Sequence, residues 1–338
     1  MHLRRQTTAA GRRRALRALG AAALAPAFAP LARAQAAYPS KPIRIIVPHS
    51  PGVSPDVIAR YIADRMSKTL GQPAFVENHA GAGGLIGAEY AANAAPDGYN
   101  LMFTVKGVMA MVPNVYPNPK YNPMTDFKAI AEIATVPHVL TAAPNTPFNS
   151  LKEMVEYAKA NPDKINFASN GIGSQPHMTM EAWQKKLGIK LHHIPYKQNP
   201  ETDLMGGIVS LYLEGGAAAV PKVKAGRVKG LCITGSTRNP EIPNVPAANE
   251  YMPDLDPDGM ISGSYHALFA PKGTPDEIVT HLNRELTRIL AQAEVQTRLR
   301  DFGVNPNTTV TAAGLNTAVA RDYQFWRGIV KELDIKPV

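Results

Sequence analysis

The chain alternates short apolar runs with amphipathic ones. Residues 43–48, 74–79 and 100–105 are apolar runs of strand length. Residues 55–70 repeat apolar side chains at helical spacing, and residues 85–94 follow as a second helical run. This strand–helix alternation predicts a parallel, right-handed α/β unit at the start of the folded part.

Residues with capping chemistry stand at the predicted helix ends. Ser54 and Ser150 precede helical runs and are expected as N-caps, and Ser174 is expected to cap a third helix. Pro55 suits the first turn of its helix, and Gly71 suits the C-terminal cap.

A second α/β unit is predicted from about residue 150. A proline-rich stretch at 240–257 follows it, and then helices at 275–299 and 312–334. Extended segments near 134–143 and 262–271 suggest that the chain crosses twice between two lobes.

We therefore expect an α/β fold of two lobes with a central ligand cleft, because ligands bind at the carboxyl ends of strands in open α/β sheets. The expected domains are an export signal at 1–36, lobe I at 38–139 plus 263–338, and lobe II at 140–262.

Charge separates the first 36 residues from the rest. The 338-residue chain has a formal net charge of +9, but residues 1–36 hold seven arginines and no acidic residue. Without those arginines, 29 basic residues face 27 acidic ones. The basic character belongs to this leader, so nucleic-acid binding is not expected.

The leader has the parts of an export signal. Arginines precede an apolar run at 18–32, and Ala34-Gln35-Ala36 forms an A-x-A cleavage site, so we expect cleavage near Ala36. Arg13-Arg14 fits a twin-arginine signal loosely, which leaves the general Sec route and the twin-arginine route both open. The run is too short for a membrane span.

The turn "VPHSPGVSPD" contains residue types used in hydrolases. His49 and Ser50 are neighbours, however, and side chains that alternate along an extended chain do not pair as base and nucleophile. The pattern G-x-S-x-G is also absent, because Asp56 stands at its last position. We expect no catalytic residues here.

Other chemical motifs are incomplete. Gly81 and Gly83 begin a dinucleotide fingerprint whose third glycine would fall at Ile86. The nine histidines show no metal-ligand spacing, so neither a metal nor a cofactor is expected. Cys232, the single cysteine, stands in an apolar run and is expected to be a buried inert thiol.

Glycine-rich turns before helices are candidates for anion binding. The turn 169–177 places Gly171 and Gly173 before a helix, where free backbone N–H groups favour a carboxylate. Together with the glycine turn at 81–84, it suggests an acidic ligand held at both ends.

Five stretches follow one another in the order in which a known family has them: "YPSKPIRIIVPHSPGVSPDVIAR", "VENHAGAGGLIGAE", "PDGYNLMFTV", "NPDKINFASNGIGSQPH" and "FAPKGTP". Residues 38–338 resemble the periplasmic receptors of tripartite tricarboxylate transporters, the Bordetella uptake gene family. The resemblance implies a Venus-flytrap receptor in the periplasm. Its ligand is a small organic acid, delivered to a permease of one large and one small membrane subunit.

The resemblance also implies a binding site. The loop 50–56 and the turn 81–84 would hold one ligand carboxylate, partly through water, and the turn 170–174 would hold the distal end. The chain departs from the family at His49, Pro51 and Val53, and at Gln198, where glycine is usual. The expected ligand-binding set is His49, Ser50, Gly52, Val53, Ser54, Asp56, Gly81, Ala82, Gly83, Thr104, Lys106, Asn170, Gly173, Ser174, His177, Tyr196 and Asp203.

We expect a monomeric receptor without catalytic activity. Lys106 or His49 would add positive charge to the pocket, which favours a dicarboxylate, possibly an aromatic one. Two alternatives stay open: an exported Ser/His/Asp hydrolase, and a ligand sensor that signals to a membrane partner.

Overall fold

A computed structural model describes residues 38–256, 258–309 and 311–335. The predicted export signal lies outside the described residues. Within the described part, no helix is long and apolar enough to cross a membrane.

Eleven strands are present among the described residues. They are β1 Ile43–Val47, β2 Ala74–Asn78, β3 Asn100–Val105, β4 Phe127–Val136, β5 His138–Ala142, β6 Asn166–Ser169, β7 His192–Pro195, β8 Leu211–Gly215, β9 Lys229–Ile233, β10 Ser264–Pro271 and β11 Asn305–Pro306.

The helices alternate with these strands over most of the chain. They are α1 Ser54–Leu70, α2 Leu85–Ala92, α3 Val112–Val115, α4 Leu151–Ala160, α5 Gln175–Leu187, α6 Glu201–Met205, α7 Gly216–Lys224, α8 Ala248–Tyr251, α9 Asp276–Leu290, α10 Ala293–Asp301 and α11 Ala312–Leu333. A 3-10 turn at Ala82–Gly84 precedes α2, and a π-helical turn at Gly107–Met111 precedes α3.

The strands form two mixed sheets. The first has the order β11-β4-β10-β3-β1-β2, and the second has the order β7-β6-β8-β5-β9. Strand β1 runs parallel to β2 and β3, which confirms the α/β unit predicted from the first strands. In the second sheet, β6 runs parallel to β7 and β8.

The chain passes twice between the sheets, as predicted. Strand β4 ends in the first sheet at Val136, and β5 begins in the second at His138. The return runs from β9 to β10, which pairs antiparallel with β3 and β4. These passages confirm a fold of two α/β lobes; the precise lobe boundaries given above stay a prediction.

Each sheet has its own apolar core, and the last helix contributes to both. Ile45 and Ile58 belong to the core beneath the first sheet, and Phe167 and Trp183 to that of the second. In α11, Leu315 packs against the first lobe, whereas Trp326 packs in the core of the second. Helix α11 therefore links the lobes outside the two strand crossings.

Several predicted helix ends are confirmed. Gly71 ends α1 with φ 66°, the left-handed conformation that glycine adopts without strain. Ser150 caps α4, since its hydroxyl accepts a hydrogen bond from Glu153 N at 3.2 Å. The prediction of a single helix at 275–299 is wrong, because the helix is interrupted at Ala291 and Gln292, between α9 and α10.

The prediction that Ser54 caps α1 is also wrong. Val53 occupies the N-cap, and Ser54 is the first helical residue. The turn is closed instead by the Asp56 carboxylate, which accepts from Gly52 N at 2.9 Å. Ser174 does stand at the N-cap of α5, but its hydroxyl makes no capping bond. Both serine hydroxyls are thus left without a structural role at their helix ends.

Candidate functional site

A small cavity lies between the two sheets. Loops that follow β1, β3 and β6 meet there with the last residues of β8, so the strand ends provide much of its wall. The cavity volume is about 40 Å³. One buried water needs roughly 10–15 Å³, so the cavity as it stands holds a few water-sized groups.

Glycines allow the lobes to touch around this cavity. A Cβ atom on Gly83 would lie 2.7 Å from Ile172 O, and one on Gly171 would lie 2.9 Å from Gly83 N. Gly83 also has φ 67°, which disfavours any other residue. Backbone therefore meets backbone across the cleft, and the described conformation is closed.

Polar atoms without a partner are concentrated in the cavity wall. Seven lining residues have a buried side-chain nitrogen or oxygen that makes no hydrogen bond within the described chain: His49, Ser54, His138, Ser174, Gln175, Ser264 and His266. Buried polar groups are normally paired, and each unmade bond costs about 1–3 kcal/mol. These atoms come from both lobes, so one polar ligand in the cavity would provide hydrogen-bond partners to both lobes at once.

The three cavity histidines are held neutral. Burial lowers the pKa of His49 and of His138 to about 4, and the charge of Lys106 contributes at His138. Burial, with His138 and His49 nearby, places the pKa of His266 well below its ordinary value. At neutral pH each imidazole therefore has one N–H donor and one acceptor nitrogen.

Fixed positive charge is absent from the cavity wall. No lysine or arginine among the described residues lines it. Lys106 is buried beside the cavity, where its Nζ donates to Met260 O at 2.9 Å. Burial lowers the pKa of Lys106 to about 8. One carboxylate, that of Glu214, does line the cavity.

Six of the seventeen residues predicted for the site line the cavity: His49, Val53, Ser54, Gly83, Asn170 and Ser174. Eleven lie outside the lining: Ser50, Gly52, Asp56, Gly81, Ala82, Thr104, Lys106, Gly173, His177, Tyr196 and Asp203.

Several of these eleven residues hold the surrounding loops in place. The hydroxyl of Ser50 donates to Lys197 O at 3.3 Å, a contact between the lobes. The Asp56 carboxylate accepts from Gly52 N and from Asn78 Nδ2, both at 2.9 Å. These bonds fix the turn before α1 and thereby position Ser54.

In the second lobe the outlying residues also make internal contacts. Gly173 N donates to Nδ1 of His177 at 3.2 Å, which shapes the turn before α5. Tyr196 donates to Asp203 Oδ2 at 2.6 Å. The hydroxyl of Tyr212, which lines the cavity, donates to Asn170 Oδ1 at 2.8 Å and orients that amide.

Sequence reasoning missed part of the wall. His138, His266, Ser264, Tyr212 and Glu214 line the cavity, but they were not among the predicted site residues. One available signal was polar side chains in otherwise apolar strands: Ser264 and His266 are spaced by two in fully buried β10.

Two α/β lobes, each with a mixed sheet, are joined by two crossings of the chain. Both lobes line one cavity with residues that have unpaired polar atoms. This arrangement defines a two-lobe solute-binding protein. Residues 58–335 match the model of the tripartite tricarboxylate transporter family receptors. The chain belongs to this family.

Known proteins agree with that assignment. Protein BugT of Bordetella pertussis is 33% identical over 302 residues, which cover 88% of this chain and 91% of BugT. The structure of Rpa4515 from R. palustris with adipate is 29% identical, with a TM-score of 0.83 over 89% of this chain and 100% of that one. MatC from Rhodopseudomonas palustris with bound malate is 32% identical, with a TM-score of 0.80 over 87% of this chain and 100% of MatC.

Proposed function

We propose that this protein is a periplasmic receptor that captures a small organic carboxylate. The observation that carries the proposal is that seven residues from both lobes line one cavity and each have a buried side-chain atom without a hydrogen-bond partner in the described chain. Hydroxyls and imidazole N–H groups are good donors to a carboxylate, and bonds to a charged acceptor are stronger than neutral ones. The adipate and malate bound by two similar proteins support this ligand class.

Ligand capture would work through closure. A carboxylate that bonds Ser54 of the first lobe and Ser174 of the second has both contacts only when the lobes meet. Binding then shifts the population towards the closed form by the free energy of the additional contacts. No step of this cycle requires bond cleavage, so the receptor acts without catalysis.

We further propose delivery to a membrane permease of one large and one small subunit, with the receptor acting as a monomer. Delivery to a permease is supported by the family to which the chain belongs, the receptors of tripartite tricarboxylate transporters. A pull-down of tagged receptor with the two membrane subunits, with and without ligand, tests this step. Binding that requires the ligand is the expected result.

The sequence-based preference for a dicarboxylate assumed a cation in the pocket. Lys106 lies outside the lining and is bonded to Met260, and His49 is neutral, so that assumption loses its support. Adipate and malate nevertheless place dicarboxylates in the set to be tested.

A calorimetric panel of mono-, di- and tricarboxylates tests the proposed capture. We expect at least one acid to bind with one-to-one stoichiometry, and Ser174→Ala to weaken it about tenfold, the effect of losing one charge-assisted bond. Absence of binding across the panel, or turnover of generic esters that Ser174→Ala abolishes, would contradict the proposal.

A further inference from the structure

Glu214 is an unexpected group in a cavity for acids. It stands near the end of β8, is 3% exposed and lines the cavity. Its Oε2 accepts from Lys222 Nζ at 2.6 Å. Its Oε1 lies 3.1 Å from Thr141 Oγ1, whose single proton is shared with Tyr212 O at 2.8 Å. A carboxylate has about four lone-pair positions, so Glu214 keeps the capacity to accept another hydrogen bond.

The charge around Glu214 is negative in balance. Lys222 is itself buried and lies 3.7 Å from Glu201 as well, so one ammonium serves two carboxylates. Burial raises the pKa of Glu214, and the Lys222 ammonium acts in the opposite direction. The ion pair with Lys222, at 2.6 Å, favours the charged form of Glu214.

The rest of the cavity offers no cation to offset this charge. The described lining contains neither lysine nor arginine, and its three histidines are neutral. A second ligand carboxylate beside Glu214 would therefore meet a like charge in a buried site, where such repulsion is strong.

We propose that the ligand carries, besides its carboxylate, a hydrogen-bond donor that faces Glu214: a hydroxyl, an amide or an ammonium group. The carboxylate faces the serines and imidazoles on the remaining wall. This inference rests on the proposed function and narrows the ligand class within it. A binding site with a buried acceptor selects ligands that carry a hydrogen-bond donor. It rejects analogues without that donor, because they leave the acceptor unpaired.

Calorimetry with matched acids tests the inference at pH 7. For three- to five-carbon skeletons, the panel holds the unsubstituted acid, the dicarboxylic acid, and the acids with a terminal hydroxyl, amide or amine. At the best-fitting length, we expect a donor-bearing acid to bind at least about tenfold more tightly than the dicarboxylic acid. Comparison of the hydroxyl-bearing and amine-bearing acids shows from which donor group Glu214 accepts a hydrogen bond.

Substitution of Glu214 tests whether this residue causes the preference for donor-bearing acids over dicarboxylic acids. Glu214→Gln should reduce the ratio of donor-acid to dicarboxylate affinity about tenfold, since the like charge is removed. The matched control is Glu285→Gln in α9, which removes a carboxylate that accepts from Arg288 at 2.7 Å outside the cavity lining. This control should leave the ratio unchanged.

The outcomes separate the two proposals. A dicarboxylic acid that binds the wild-type protein as tightly as the donor-bearing acids overturns this inference and leaves the carboxylate receptor intact. A panel without any binder overturns both. Should Glu214→Gln fail to fold, the ranking measured on the wild-type protein still decides.

Discussion

Ser54 and Gly215 meet across the cleft with no room for a methyl group between them. A Cβ atom on Gly215 would lie 2.6 Å from Ser54 Cβ and 2.7 Å from its Oγ. Gly215 has φ −66° and ψ 147°, a conformation open to any residue, so packing between the lobes alone requires glycine here. A substitution at Gly215 therefore tests closure, because it disturbs the contact between the lobes and not the packing inside either lobe.

Gly215→Ala should weaken ligand binding while leaving the fold intact. The added methyl group holds the lobes apart and removes contacts that exist only in the closed form. We expect a loss of about tenfold or more in calorimetric affinity, since overpacking costs roughly 1–3 kcal/mol. Gly328→Ala in α11, where nothing lies within 4 Å of the added atom, is the control. Unchanged affinity in Gly215→Ala would contradict a cleft that closes as described.

Lys106→Met should affect stability more than binding. The substitution leaves Met260 O without its 2.9 Å hydrogen bond and removes positive charge near Asp256 and Asp322. We expect urea denaturation to show a loss of about 1–3 kcal/mol in the free energy of unfolding. The affinity for a carboxylate should change less than about threefold, because Lys106 lies outside the cavity lining. A large loss of affinity at unchanged stability would instead make Lys106 a ligand-binding group.

The empty protein should lose stability between pH 6.5 and pH 4 through its buried histidines. The folded pKa of His49 is about 4, below the ordinary value of 6.5. Within that window the unfolded chain binds a proton that the folded chain does not, so stability falls as pH falls. Glu214 and Glu132, whose pKa values are raised by burial, act in the opposite sense.

His49→Gln isolates this effect. Relative to the wild type, the variant should lose about 2 kcal/mol less unfolding free energy between pH 7 and pH 5, as measured by urea denaturation at each pH. His138, His266 and Lys106 are the titratable groups that remain nearby. Equal losses in the two proteins would show that His49 titrates normally.

Cys232 should be unreactive in the native protein. Its thiol is fully buried in β9, and burial raises its pKa to about 12, so almost no thiolate forms at pH 8. A maleimide reagent should label it only after denaturation in guanidinium. Rapid native labelling would show that β9 opens frequently.

The lobes were predictable because their signals are local. Apolar runs alternate with helical periodicity from Ile43 onwards, and caps such as Gly71 and Ser150 mark the ends of individual helices. Even the two crossings were predicted from extended segments without helical pattern. The break at Ala291 was not, because no proline or glycine marks it.

The cavity wall was only partly predictable because it forms between distant segments. The glycine turn around Gly83 and the turn before Ser174 carried local signals, and both line the cavity. His138 and His266 lie on different strands, and only the pairing of both sheets through the crossings brings them to one place. Ser54 was expected as a helix cap because sequence alone does not show that Asp56 closes the turn instead.

A crystal structure of the protein with an acid selected by calorimetry tests the central claim most directly. We predict that the ligand carboxylate occupies the cavity between the sheets, with its oxygens about 2.6–3.2 Å from donors of both lobes, including Ser54 or His266 and Ser174 or His138. An acid bound elsewhere, or contacting a single lobe in a closed protein, would contradict the account.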